Sequence, residues 1–276
     1  MQRLLGELKT IIEHEWALTG PFVPLPEVHS EARTAIPEAR TGYERQNDHP
    51  DMNPRELFGR PSSTGIDGSP SPYDRIQALI PPSSPLVSMT SLEEVEAFVR
   101  KNMLIPLDES RTNPVFGVGD PNADLMVIGE APGADEDARG EPFVGRAGQL
   151  LTQILGAIDF AREDVYIANI LKSRPPNNRN PMAAEVAAHV PILYKQIALI
   201  RPKLILCVGK TSGTTLLNQK TSLKALRQKF HDFHGLQMLV TYHPAALLRN
   251  PAWKRPTWED VQLLRRRYDE LVRMAA

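Results

Sequence analysis

Four side chains stand at the ends of apolar runs, where a fold built on such runs would do its chemistry. Glu130 and Glu136 follow LMVIG, Asn169 closes YIAN, and His243 follows MLVTY; the ring of Phe143 lies between Glu136 and Asn169 in the chain. A carboxylate can position a water and stabilise a cationic sugar, as carboxylates do in glycoside hydrolysis. A histidine can donate to an oxygen on which negative charge develops, a stabilisation realised only in the transition state. An asparagine amide offers a donor beside an acceptor, the pattern that pairs with the edge of a base such as uracil or cytosine, and an aromatic ring can stack on its face. Each residue also has an ordinary alternative: Asn169 as a turn former, Phe143 as core, His243 as the end of a strand, and Glu136 as a solvated carboxylate.

These residues form a site only if the apolar runs lie side by side. The sequence predicts strands over Asp124 to Gly129, Val165 to Ile170, Leu204 to Val208 and Met238 to Tyr242. Between and after them it predicts helices over RAGQLLTQILGAI, Ala183 to Ile200, Lys210 to Leu217 and Trp258 to Met274. Continuous apolar strands separated by helices imply a parallel sheet covered on both faces, with right-handed crossovers. Ligands of such sheets bind beyond the carboxyl ends of the strands, so Glu130, Glu136, Asn169, Gly209 and His243 are expected around one crevice.

The stretch from Val127 to Leu151 carries most of that crevice. Gly129 and Gly133 flank Glu130, Ala131 and Pro132, so the backbone can turn sharply and approach a planar ligand. Gly145 opens a helix near Arg146 whose free N–H groups suit an anion. Two nucleotide motifs fail here. Ala131 and Pro132 break the dinucleotide fingerprint G-x-G-x-x-G, and Leu204 stands where a P-loop ending in Gly209-Lys210-Thr211 needs its first glycine.

The chain of 276 residues, 41% hydrophobic, can bury one substantial core. Residues 1–99 carry a net −7 and residues 100–276 a net +6, the split that a nucleic-acid-binding body with an acidic tail would show, although such a basic surface is also common in proteins that touch no nucleic acid. Twelve of the 25 prolines fall in the first 90 residues. From about Thr19 to Ser88 no period survives, so this part reads as a linker. An amphipathic helix over Leu4 to Trp16 precedes it, docked on its own domain or on a protein partner. Order resumes at Ser91, which with Glu94 caps the helix LEEVEAFVRK. The expected division is therefore an extension over 1–90 and a domain over 91–276. One cysteine, Cys207, excludes an internal disulfide, and no apolar run approaches the roughly 20 residues of a spanning helix, so a cytoplasmic protein with no membrane contact is expected.

GEAPGADED (Gly129 to Asp137), PFVGRAGQLL (Pro142 to Leu151), ANILKSRPPNNRNP (Ala168 to Pro181) and TYHPAALLRNP (Thr241 to Pro251) resemble, in order and interval, the motifs of family-four uracil-DNA glycosylases. The resemblance runs from about Pro106 to Arg273. It implies a three-layer α/β/α sandwich around a central four-stranded parallel sheet, an enzyme that flips uracil out of DNA and hydrolyses its N-glycosidic bond. Residue by residue it implies that Glu130, Ala131 and Gly133 line the uracil pocket, Phe143 stacks on the base and Asn169 reads its edge. Glu136 is then the acid linked to water activation and His243 the donor facing a uracil oxygen. Gly145, Arg146 and Arg174 are expected against the DNA, with Leu247, Leu248 and Arg249 pressing into the duplex to offset an unstacking cost of a few kcal/mol.

Members of that family usually hold a 4Fe-4S cluster on four cysteines. The corresponding positions here are Asn102, Ile105, Ser173 and His189, so no cofactor and no metal is expected. The expected partner is uracil-containing DNA, bound by a monomer. The rival reading is a non-catalytic DNA-binding repair scaffold, which has less reason to keep Glu136, Asn169 and His243 together. A hydrolase of free nucleosides would have no use for the wedge-like loop or the basic body.

Overall fold

The computed structural model describes residues 68–275. The expected opening helix over 4–16 and most of the proline-rich linker lie outside these residues. A six-stranded sheet forms the centre. Its strands in chain order are β1 (Val118–Gly119), β2 (Leu125–Gly129), β3 (Tyr166–Asn169), β4 (Leu204–Val208), β5 (Phe230–Phe233) and β6 (Leu236–Thr241), arranged β1-β3-β2-β4-β6-β5. The four inner strands are parallel: Val127 on β2 lies opposite Ile167 on β3 and Leu206 on β4, and Leu206 opposite Leu239 on β6. These are the four apolar runs.

Two antiparallel edge strands join them, β1 on β3 and β5 on β6, and the sheet is wider than the expected four strands by these two. Neither shows in the sequence, because two residues carry no period and Phe-His-Asp-Phe is too polar to read as a buried strand.

Alternate residues of the inner strands face opposite layers, as the pleat requires. Met126, Ile128, Ala168, Ile205, Cys207, Met238 and Val240 pack with Leu193 and Ile197 of α5 (Ala183–Ile200). Leu125, Val127, Ile167, Leu204, Leu206 and Leu239 pack on the other side with Leu151 and Leu155 of α4 (Arg146–Gly156) and Val261 and Leu264 of α9 (Lys254–Ala275). Burying each such side chain contributes about 1.5–3 kcal/mol. The three layers are thus sheet between helices.

Order begins earlier than the sequence indicated. The stretch up to Ser88, read as irregular, contains α1 (Pro72–Gln77) and a 3-10 turn over Pro85–Val87. Ser71 and Asp74 form a capping box, Ile76 is fully buried against α5, and the Tyr73 hydroxyl donates to Arg201 O and Pro202 O. Six residues are too few to display a helical period, so only the cap could have announced this helix. The next helix, α2 (Leu92–Lys101), has the expected Ser91–Glu94 box. Within the acidic loop after β2 the chain also forms α3 (Ala134–Arg139), which the loop reading did not include.

Candidate active site

Gly129 ends β2 directly beside Asn169, the last residue of β3. The ladder continues past them, with Ile170 N–H donating to Gly129 O and Leu171 N–H to Glu130 O, both at 3.1 Å. A Cβ added at Gly129 would lie 2.6 Å from Cζ of Phe143, so only a glycine here lets the amide and the ring pack against the strand end. Asn169 is 1% exposed, and its Oδ1 is buried without a hydrogen-bond partner. A buried acceptor left unpaired costs about 1–3 kcal/mol, which a ligand N–H would recover.

Phe143 is held by backbone strain and by close packing. Its φ of 55° lies in the left-handed region that bulky residues avoid. Gly148 on α4 makes this possible, since a Cβ there would fall 1.8 Å from Phe143 O. Arg162 donates to Pro142 O at 2.6 Å, fixing the residue before the ring.

Glu136 is far from a free carboxylate. Oε1 accepts the N–H groups of Val144 and Gly145, both at 3.0 Å, and Oε2 accepts that of Gly133 at 3.1 Å. Gly133 is the N-cap of α3 and Gly145 that of α4, so one side chain joins two helix starts and closes the loop bearing Phe143. The Gly145 N–H itself is taken by the Glu136 carboxylate, which occupies one donor of the helix start expected to suit an anion. One acceptor direction on Oε2 remains beyond these three bonds.

His243 follows β6 and is the N-cap of α8 (Pro244–Arg249). Its Nδ1 accepts the N–H of Ala245 at 3.1 Å, which puts the ring proton of the neutral form on Nε2. The ring stacks on Phe143, with centroids 5.5 Å apart and planes at 28°. Gly209, at φ 109°, brings the end of β4 against it; a Cβ there would lie 3.3 Å from His243 Cβ. Burial pushes the imidazole down to about 4, the Arg249 charge acts in the same direction, and Glu136 opposes both. His243 is thus a neutral donor at physiological pH.

The sequence pattern of the Uracil DNA glycosylase superfamily matches residues 116–262. The chain is 40% identical over 171 residues to the Type-4 uracil-DNA glycosylase of Archaeoglobus fulgidus, covering 59% of this chain and 86% of that one. It is 44% identical over 181 residues to the Type-4 enzyme of Saccharolobus solfataricus, covering 62% and 84%. Against the Type-4 enzyme of Thermotoga maritima it is 41% identical over 175 residues, covering 62% and 91%. The chain belongs to the uracil-DNA glycosylase superfamily.

Within this glycosylase fold the other residues picked out by sequence fall into two groups. Glu130, Ala131 and Gly133 line the turn after β2, each half-buried, with Ala131 packed against the core. Arg146 and Arg249 are exposed, and half-buried Arg174 donates through Nε to Asn178 Oδ1 at 2.8 Å. The expected wedge is corrected at Leu247. This residue is 1% exposed and belongs to the core between α8, α4 and the sheet, because an apolar residue in the middle of a short helix faces the helix it packs on. Leu248 is half-buried, so of the three expected wedge residues only Leu248 and Arg249 reach the surface.

The four positions that the resemblance matches to cysteines surround a polar clasp centred on Asp108. Asp108 is wholly buried and accepts from Ser173 Oγ and from the N–H groups of Leu104 (2.8 Å) and Ile105 (3.3 Å). His189 Nε2 lies 3.1 Å and Arg111 Nη1 3.3 Å from Asp108 Oδ1. Arg111 Nη2 also donates to Asn102 O at 3.0 Å. Burial alone would push the Asp108 carboxyl up, but bonds to His189 and Ser173 hold it well below the usual carboxylate range. A 4Fe-4S cluster needs four thiolates. Ser173 and His189 are already bound to Asp108, Ile105 has no donor atom, and Cys207 is buried in β4 against Met238. These residues do not fit the cluster. Asp108 and the fully buried Lys172 escaped the sequence reading; a lysine after Ile170-Leu171 carries no mark of its burial.

Proposed function

We propose that the crevice at the ends of β2, β3, β4 and β6 takes a uracil flipped out of DNA and hydrolyses its N-glycosidic bond, leaving an abasic site. The unpaired, buried Asn169 Oδ1 carries this reading. Uracil presents an N3–H donor, which that oxygen accepts, while the amide N–H faces the neighbouring carbonyl. Cytosine presents an acceptor at N3 and an amine beside it, so both contacts would become mismatched. The Phe143 ring stacks on the base, and Gly129 lets that ring and the Asn169 amide approach each other. Base flipping requires such a closed slot, and unpairing uracil from a mismatch lowers its cost.

Cleavage builds positive charge on the sugar and negative charge on the leaving uracil. The Nε2–H of His243 stabilises the uracil oxygen without a change of protonation, and its bond strengthens as charge develops. Glu136, fixed by three N–H groups, supplies a carboxylate that needs no reorganisation, with its remaining Oε2 acceptor for the attacking water. Incubation with a uracil-bearing oligonucleotide followed by alkali should cut the strand at uracil and leave a cytosine or thymine control whole. A strand left intact at uracil would favour the scaffold reading.

A further inference from the structure

Lys172 lies behind the base-reading amide with both its ends tied down. Its side chain is wholly buried, and Nζ donates to Asn169 O at 2.9 Å, Phe116 O at 3.1 Å and Gln196 Oε1 at 2.6 Å. Three acceptors match the three protons of an ammonium. Its own N–H donates to His189 Nδ1 at 3.0 Å, and His189 is held in turn by Asp108. Among the described residues no carboxylate pairs with it, and burial lowers it to about 7. A buried amine without a counter-ion is costly, and a methionine of similar volume would fill the space without that cost. The cost falls three residues from Asn169, on the carbonyl of the residue whose amide stands unpaired in the pocket.

We propose that Lys172 is a positioning residue: by anchoring the Asn169 carbonyl between the Asp108 clasp and the Phe116–Gln196 acceptors, it sets the Asn169 amide at the geometry that reads uracil. The inference rests on the proposed role of Asn169. Lys172 touches no substrate, so it acts only through that residue.

A double-mutant cycle tests it. Single-turnover uracil release is measured for the full chain and for Lys172→Met, Asn169→Ala and the double variant, alongside inhibition by free uracil. Lys172→Met should slow release about tenfold or more and weaken inhibition by uracil, with binding to abasic DNA unchanged. In the Asn169→Ala background the same change should cost less than about twofold. Equal losses in both backgrounds would mean that Lys172 is only structural and would overturn the inference. If Asn169→Ala leaves release intact, the base-reading role itself falls, and this inference with it; the two failures are therefore distinct. Should Lys172→Met not fold, Gln196→Met removes one of the three acceptors and must show the same coupling to Asn169, or the inference is wrong.

Discussion

A methyl group at position 129 would stand 2.3 Å from Oδ1 of Asn169, closer than any real packing contact. Only a glycine at the end of β2 lets the Asn169 amide and the Phe143 ring come this close. Gly129→Ala should therefore push the amide and the Phe143 ring out of their positions. Uracil release is expected to drop by roughly a hundredfold or more, about 3 kcal/mol, with overpacking costing about 1–3 kcal/mol in stability. Single-turnover assays beside thermal melts measure both; unchanged release would show that no ligand enters there.

Asn169→Asp replaces the donor half of the amide by a second acceptor. Release of uracil should fall, and affinity for free uracil should fall with it, while binding to undamaged DNA is retained. Competition by free uracil reads this directly. Unaltered release would reduce Asn169 to a turn former.

The sequence showed the parallel core because LMVIG, LILCV and MLVT are apolar on both faces, and burial on both faces is what such runs encode. It placed Asn169 and His243 after their strands because the ends of parallel strands share an edge, whereas Glu136 lies within α3 and not at a strand end. It could not show that Glu136 would be claimed by the N–H groups of Gly133, Val144 and Gly145, since those bonds depend on how α3 and α4 meet. The burial of Leu247 is of the same kind: a two-leucine motif looks like a wedge until the neighbouring helix takes one of them. Asp108 was hidden for another reason: it sits beside Glu109 in a 3-10 turn, and its side-chain partners Ser173 and His189 lie some 65 and 81 residues away.

His243 offers a pH test with a fixed sign. Its folded value, about 4, lies below the ordinary histidine value of about 6.5. On acidification the unfolded chain takes up the proton first, so this group's contribution to stability is full above about pH 6.5 and is lost as pH falls through about 4. Uracil release should show no inflection near pH 6.5, and His243→Ala should flatten the loss of stability between pH 6.5 and 4. NMR titration of the ring with a midpoint near 6.5 would contradict the half-buried neutral donor.

The Asp108 clasp should behave as a structural replacement for the cluster. Asp108→Asn leaves the Arg111 charge buried without its partner and should cost about 3 kcal/mol in urea unfolding. Because the folded Asp108 value is depressed, its stabilisation is present above about pH 4 and fades as pH falls further, so the variant should lose part of that acid sensitivity. Purified protein should be colourless, with iron well below stoichiometry. About four irons per chain would refute the clasp.

If Glu136 and His243 act from opposite sides of the glycosidic bond, single-turnover release from a uracil-containing duplex must depend on both. The wild type should release uracil. His243→Ala removes the Nε2–H donor, and Glu136→Gln turns an NH2 group against the loop N–H groups that now hold the carboxylate. Each should slow release by roughly a hundredfold or more, about 3 kcal/mol, with DNA affinity little changed. Release by the wild type at rates matched by both variants would contradict the assigned roles, and no release by the wild type would contradict the enzyme.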